Sequence, residues 1–223
     1  MSFLRAVWAV ARKDLATEVR TGEMLGGVWV FSLLGAFVLG LALDLRGDAA
    51  REAAAGVLWA TVMLAGTLGL NRSLAREQAG GCLDGLRLAP VDRSTILFGK
   101  AVGAFLVMGL AEVLLAPFIS VLFGADLLRW PLLLVGGLGT LGYALVGMML
   151  ATVALRARAR EVLLPVLLLP IAVPLLIACV RATQVLAAGG ALAAAGRWLR
   201  LLVVYDLVML AVAMLTFDAA VEE

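Results

Sequence analysis

Two carboxylates stand inside apolar runs, where a carboxylate is expensive. Glu112 lies in LVMGLAEVLLAPF and Asp206 in LLVVYDLVML. A charged side chain at the centre of a bilayer costs about 2.5–3.5 kcal/mol on insertion scales. Such an acid can line a polar substrate path or take up and release a proton. The structural alternative is an internal hydrogen bond, through Tyr205 or a backbone carbonyl, that holds the acid protonated. Beyond these two, the inventory for catalysis is thin. The chain has no histidine, which removes the commonest metal ligand and general base and the usual axial ligand of haem iron. No catalytic set and no metal site can be assembled from the motifs present. The two cysteines, Cys82 and Cys179, fall in a polar interval and at the far end of an apolar run. They read as unpaired packing thiols on opposite sides of a membrane, too far apart to be bridged.

Two glycine motifs suggest nucleotide chemistry and fail on context. GLGTLG at 137–142 has the G-x-G-x-x-G spacing, but that motif must close a strand and open a helix in a βαβ unit. Here it lies within an apolar run. Its glycines, with Gly136 and Gly147, read instead as points where neighbouring helices approach closely, since small residues let backbones touch where lipid offers no hydrophobic drive. Gly99-Lys100 lacks both the following Ser or Thr and the glycine five residues earlier of a phosphate loop. Any ATP-driven work must therefore come from a partner.

The elements that position these residues follow from composition. Of 223 residues, 64% are hydrophobic and 15% charged, with mean hydropathy +1.07. A soluble domain carries about 25% charged residues, and here the apolar residues are gathered into runs. The net charge of +2 gives no argument for nucleic acid. Six runs are long enough as helices to cross a bilayer: about 24–43, 53–70, 99–123, 132–155, 162–180 and 201–217. The alternation of a barrel is absent, so the expected fold is all-α, a single integral membrane bundle of six spans over 1–223. Pro165, Pro170 and Pro174 fall in the fifth span and predict a bent or broken helix that works as a hinge or is kinked for packing. Trp130 stands where an interfacial anchor belongs.

Residues 1–23 do not read as a signal peptide, because basic and acidic residues are interleaved with the apolar ones. Leu4, Val7, Trp8, Ala11, Leu15 and Val19 recur at helical spacing, with Arg5, Arg12, Lys13 and Arg20 toward the other side and Glu18 intruding on the apolar face. An amphipathic helix lying at the lipid headgroups, or packed on the spans, is expected. Lys and Arg number twelve on the side of the termini and six on the other, which places both termini and the 71–98 interval in the cytoplasm. Residues 181–200, Ala/Gly-rich between Arg181, Arg197 and Arg200, are expected on the outer side, where they can dip into the membrane.

The only long polar interval, RSLAREQAGGCLDGLRLAPVDRSTILFGK at 72–100, reads as a short cytoplasmic helical element that receives force. Leu83, Leu86 and Leu88 form an apolar patch before Pro90, and Arg76, Glu77, Arg87 and Arg93 supply rim charges, a layout suited to a groove on a partner. From Glu77 through Gly81, Leu83, Asp84, Leu86 and Pro90 to Lys100, this string resembles the cytoplasmic segment of ABC-2-like (type V-like) permeases, above all the haem exporter B (CcmB) family of cytochrome c maturation. ARKDLATEVRTGE at 11–23 is similar to that family's N-terminal helix, and LLPVLLLPIAVPLLI at 163–177 to its proline-rich span. The resemblance implies a homodimeric permease subunit in a bacterial inner membrane, paired with ATP-binding cassette subunits that dock on Arg76, Glu77, Gly81, Leu83, Asp84, Leu86, Pro90 and Lys100. It also implies haem as cargo rather than bound cofactor, ATP used only through the partner, and a separate haem-handling membrane protein of cytochrome c maturation. The alternatives are an ABC-2 permease for a lipid or polysaccharide, a secondary transporter relaying protons through Glu112 and Asp206, and a membrane scaffold without transport.

Overall fold

The computed structural model describes residues 3–43, 47–79, 93–154 and 160–219. Seven α-helices account for nearly all of them: α1 Phe3–Thr21, α2 Glu23–Leu43, α3 Asp48–Ala79, α4 Arg93–Phe123, α5 Leu132–Ala154, α6 Arg160–Ala187 and α7 Leu192–Ala219. Six of them, α2 to α7, are long and apolar enough to cross a membrane. The all-helical bundle expected from the apolar runs is present.

The helices outrun the apolar windows. α3 begins five residues before the expected second span and continues to Ala79, past Arg72, Arg76 and Glu77. Helical hydrogen bonding does not stop where hydrocarbon stops, and Ala, Leu, Arg, Glu and Gln all favour helix. Residues 181–200 are likewise largely helical. α6 runs to Ala187, a tight turn covers 188–191, and α7 starts at Leu192. That turn and the one after α4 use the same device. Gly124 (φ +64°) and Gly189 (φ +90°) take the left-handed conformation at the helix end, and the next amides, of Ala125 and Gly190, bond back to the carbonyls of Ser120 and Val185. This is the glycine-terminated helix stop.

α3 and α5 form the centre of the bundle and are mostly buried, whereas α2 and α7 are mostly exposed. α5 touches α3, α4, α6 and α7, and α2 leans on α3 and α4. Four of the five glycines singled out on α5 are seats for neighbouring side chains. A Cβ on Gly136 would come within 2.7 Å of Glu112 Oε1. One on Gly139 would collide with Trp59 and Cys179, one on Gly142 with Asp206, and one on Gly147 with Leu70. Gly137 is the exception and faces open space.

α6 stays helical through Pro165, Pro170 and Pro174, so the expected break is not seen as an interruption of the helix. A proline disturbs the hydrogen bonds of the preceding turn. Tyr205 of α7 donates to the Ile171 carbonyl at 3.0 Å, within the turn that Pro174 disturbs, as neighbouring helices commonly do for prolines in lipid. α4 also contains a proline, Pro117. At the end of the bundle away from the termini, side chains clasp three segments. Arg51 donates to the Gly124 carbonyl (3.1 Å), Arg129 to that of Leu186 (2.6 Å) and Gln184 to that of Glu52 (2.9 Å).

Candidate functional site

Two intramembrane places and one joint near the termini hold the polar side chains that the sequence singled out. The first place is built around Glu112, in the middle of α4. Thr140 of α5 donates its hydroxyl to Glu112 Oε2 at 2.7 Å, while Gly136, one turn earlier, leaves room for the other oxygen. Tyr205, one of the two partners considered in the structural alternative, donates to the Ile171 carbonyl instead. Glu112 lines a cavity of about 400 Å³, otherwise walled mainly by apolar side chains from α3, α4, α5 and the loop between α4 and α5. Arg129 lies at its edge and Trp59 and Thr183 in its wall, with the indole N–H donating to Thr183 Oγ1 at 2.9 Å. The size and lining are those of a small-molecule pocket, apolar with a few placed polar groups. It can take an apolar body while offering an acceptor deep inside and a cation at the edge.

The second place is Asp206, in the middle of α7. The residue is 8% exposed, and neither carboxylate oxygen has a hydrogen-bond partner among the described residues. It borders a separate cavity of about 340 Å³ between α4, α5 and α7. Glu112 and Asp206 are therefore not brought together. Thr140, which holds Glu112, and Gly142, which seats Asp206, are two residues apart on α5, about 200° around the helix. A relay between the two acids has no shared cavity to run through.

The joint near the termini lies where α1 packs across the start of α4. Lys100, 2% exposed, places its ammonium 3.7 Å from Asp14 Oδ2. Gly99 lies directly against Val7 and Val10 of α1, Gly103 against Asp14, and Phe3 meets Phe98 edge to face at 6.0 Å. The buried face of α1 is thus Ala6, Val7, Val10, Ala11 and Glu18, which shares only Val7 and Ala11 with the stripe read from the periodicity. Small side chains win because they allow close approach to the glycines of α4. Leu4, Trp8 and Val19 remain exposed, beside Arg5, Arg12 and Arg20, which are exposed as expected. Glu18 has a partner that the sequence did not suggest: its Oε1 accepts the amide of Leu25 at 2.6 Å and so caps the first turn of α2.

Arg76 and Glu77 lie on the last turns of α3. Gly81, Leu83, Asp84, Leu86 and Pro90, with Cys82, lie outside the described residues. Lys100 is the only one of the coupling candidates whose surroundings are described, and it is the buried root of the stretch. Cys179 is buried against Gly139. The sequence reading missed several further polar groups. Tyr143 of α5 donates to the Met63 carbonyl at 2.7 Å and pairs with the Thr67 hydroxyl. Asp14, Thr140 and Thr183 were also passed over. For Thr67, Thr140 and Tyr143 the available signal was a polar side chain within the apolar runs of the two central helices, α3 and α5.

The model of one family, described as CcmB protein, matches residues 5–223. Among curated proteins, the chain is 31% identical to the Heme exporter protein B of Rhodobacter capsulatus over 76% of this chain and 78% of that one. It is 31% identical to that of Paracoccus denitrificans over 81% and 84%. The Heme exporter protein B of Haemophilus influenzae is 27% identical over 81% of both chains.

Proposed function

As the chain belongs to the CcmB family, we propose that it is the membrane permease subunit of an ABC transporter complex that exports or delivers haem for cytochrome c biogenesis. The observation that carries this reading is the family match over residues 5–223, together with similarity over 76–81% of the chain to proteins named Heme exporter protein B. The subunit is a multi-pass protein of the bacterial inner membrane, with both termini in the cytoplasm, and works as a homodimer. Haem is cargo, not a resident cofactor. ATP is hydrolysed by a cassette subunit that docks on the 71–98 stretch, and a separate haem-handling membrane protein completes the complex.

The mechanical part of the proposal starts from Lys100. The stretch that meets the ATPase feeds directly into α4, whose entry is fixed to α1 by the buried Lys100–Asp14 pair and by the Gly99 contact with Val7 and Val10. A push on Leu83 and Leu86 is then delivered to two helices at once. Arg76, Glu77, Gly81, Asp84 and Pro90 shape and orient the docking surface, while Pro165, Pro170 and Pro174 give α6 the compliance to follow.

Co-purification in mild detergent tests the docking. Leu83→Asp and Leu86→Asp are expected to leave the protein in the membrane and to remove the ATP-binding subunit. Retention of that subunit by both variants overturns the proposal. The orientation has its own check. An impermeant thiol reagent added to intact cells is expected to leave Cys82 unlabelled, and labelling from outside reverses the topology.

A further inference from the structure

Asp206 presents an unmet demand at a definite depth. It is the fifteenth of the 24 residues of the apolar stretch Leu192–Leu215 of α7, several helical turns from either end of a segment long enough to cross a ~30 Å hydrocarbon layer. The side chain is more than nine-tenths buried, and both oxygens lack a hydrogen-bond donor among the described residues. Its neighbours cannot supply one. Gly142 and Leu175 face it, and the Tyr205 phenol is committed to the Ile171 carbonyl. The cavity it borders is otherwise apolar, with Phe98, Val102, Leu141, Leu145, Leu207 and Leu210 in its walls. Val203, Val204, Leu207, Val208 and Leu210 beside it on α7 are exposed.

We infer that this cavity is a docking notch for one transmembrane helix of a different membrane protein, which brings an Arg or Lys at mid-bilayer depth against Asp206. Charge and depth together select that occupant. Lys100 already pairs with Asp14, Arg129, Arg181 and Arg200 bond to Leu186, Gln184 and Gly196, and no described cation, Arg197 included, reaches either oxygen of Asp206. A second copy of this chain seated by the same face would bring another carboxylate, since a two-fold contact pairs a patch with itself. A lipid amine stays at headgroup level, well short of the middle of the layer. Only a spanning segment carries a cation to that depth, and ionisable residues within spans pair with one another for this reason. An arginine would bind the carboxylate through two parallel hydrogen bonds, with the surrounding leucines and valines packing on its helix. The inference does not depend on which cargo the complex carries.

The test places a photoreactive phenylalanine analogue at Leu207 of the full chain in its native membrane. After irradiation, the cross-linked peptide is sequenced. The expected product joins Leu207 to a transmembrane segment of another protein, within one helical turn of an Arg or Lys. Its yield is expected to fall about tenfold in Asp206→Leu, the effect of ~1.4 kcal/mol, and to persist in Asp206→Glu. Should Asp206→Leu fail to accumulate, replacing the partner's basic residue with Met is expected to give the same loss. A product with a second copy of this chain, with phospholipid only, or with a segment lacking a basic residue overturns the inference. So does a yield unchanged by these substitutions.

Discussion

Glu112 and Asp206 are the same chemistry on two helices of the bundle, settled in opposite ways. Each is seated over a glycine of α5, Gly136 for one and Gly142 for the other. Glu112 then finds Thr140 on that same helix, whereas Asp206 finds no donor. The first acid is closed within the chain and borders a pocket of its own. The second has been given room without being given a partner. A glycine seat is therefore evidence that the fold accommodates an acid, and the hydrogen-bond inventory says whether the fold also satisfies it.

The largest effect should come from filling the seats. Gly142→Val and Gly136→Val would each drive a side chain into a carboxylate and its neighbours, at a cost of about 1–3 kcal/mol or more. Neither variant should keep the wild-type yield of monodisperse protein in detergent. Gly137→Val, where nothing lies within 4 Å, should keep it. If all three behave alike, the seats are not what sets the helix spacing.

Next in size, and opposite in sign, is Asp206→Leu in the isolated chain. It removes a lone buried carboxylate, a cost that in detergent is only a part of the ~2.5–3.5 kcal/mol of a charge at the bilayer centre, and breaks no hydrogen bond to a described residue. Thermal unfolding in detergent is expected at a higher temperature than wild type. A lower one would mean that Asp206 already has a stabilising contact within the chain. The smallest effect is Thr140→Val, which strips the donor from Glu112. Leaving a buried acceptor unmet costs about 1–3 kcal/mol, toward the low end here because Glu112 borders a cavity. Glu112→Gln keeps an acceptor for Thr140 and should stay near wild type. Equal losses from both would place the hydrogen bond outside the energetics of the site.

The six spans were legible because a helix in lipid needs an unbroken apolar run, and the runs stand out. Helix ends were less so. α3 continues through Arg72 and Arg76 to Ala79, and α7 opens at Leu192 rather than near 201. Once the chain leaves hydrocarbon, helix continues on propensity, and hydropathy no longer reports it. Side-chain partners were the least legible. Thr140 meets Glu112 because α4 and α5 pack at one particular rotation, and single-chain periodicity does not encode that rotation. α1 makes the same point. Of the stripe Leu4, Val7, Trp8, Ala11, Leu15 and Val19, Val7 and Ala11 are buried and Leu15 partly so, while Leu4, Trp8 and Val19 stay exposed, because the helix is rotated to set Val7 and Val10 against Gly99 of α4.

The seven-residue reach from Glu18 to the amide of Leu25 has a mechanical meaning. α1 is bolted to the entry of α4, and this carboxylate fixes the elbow between α1 and α2. Swinging either arm alone would strip an amide of its acceptor. The first span is thereby geared to the third, although 49 residues, 44–92, lie between them in the chain. A pull delivered where α4 begins turns both of them as a single crank.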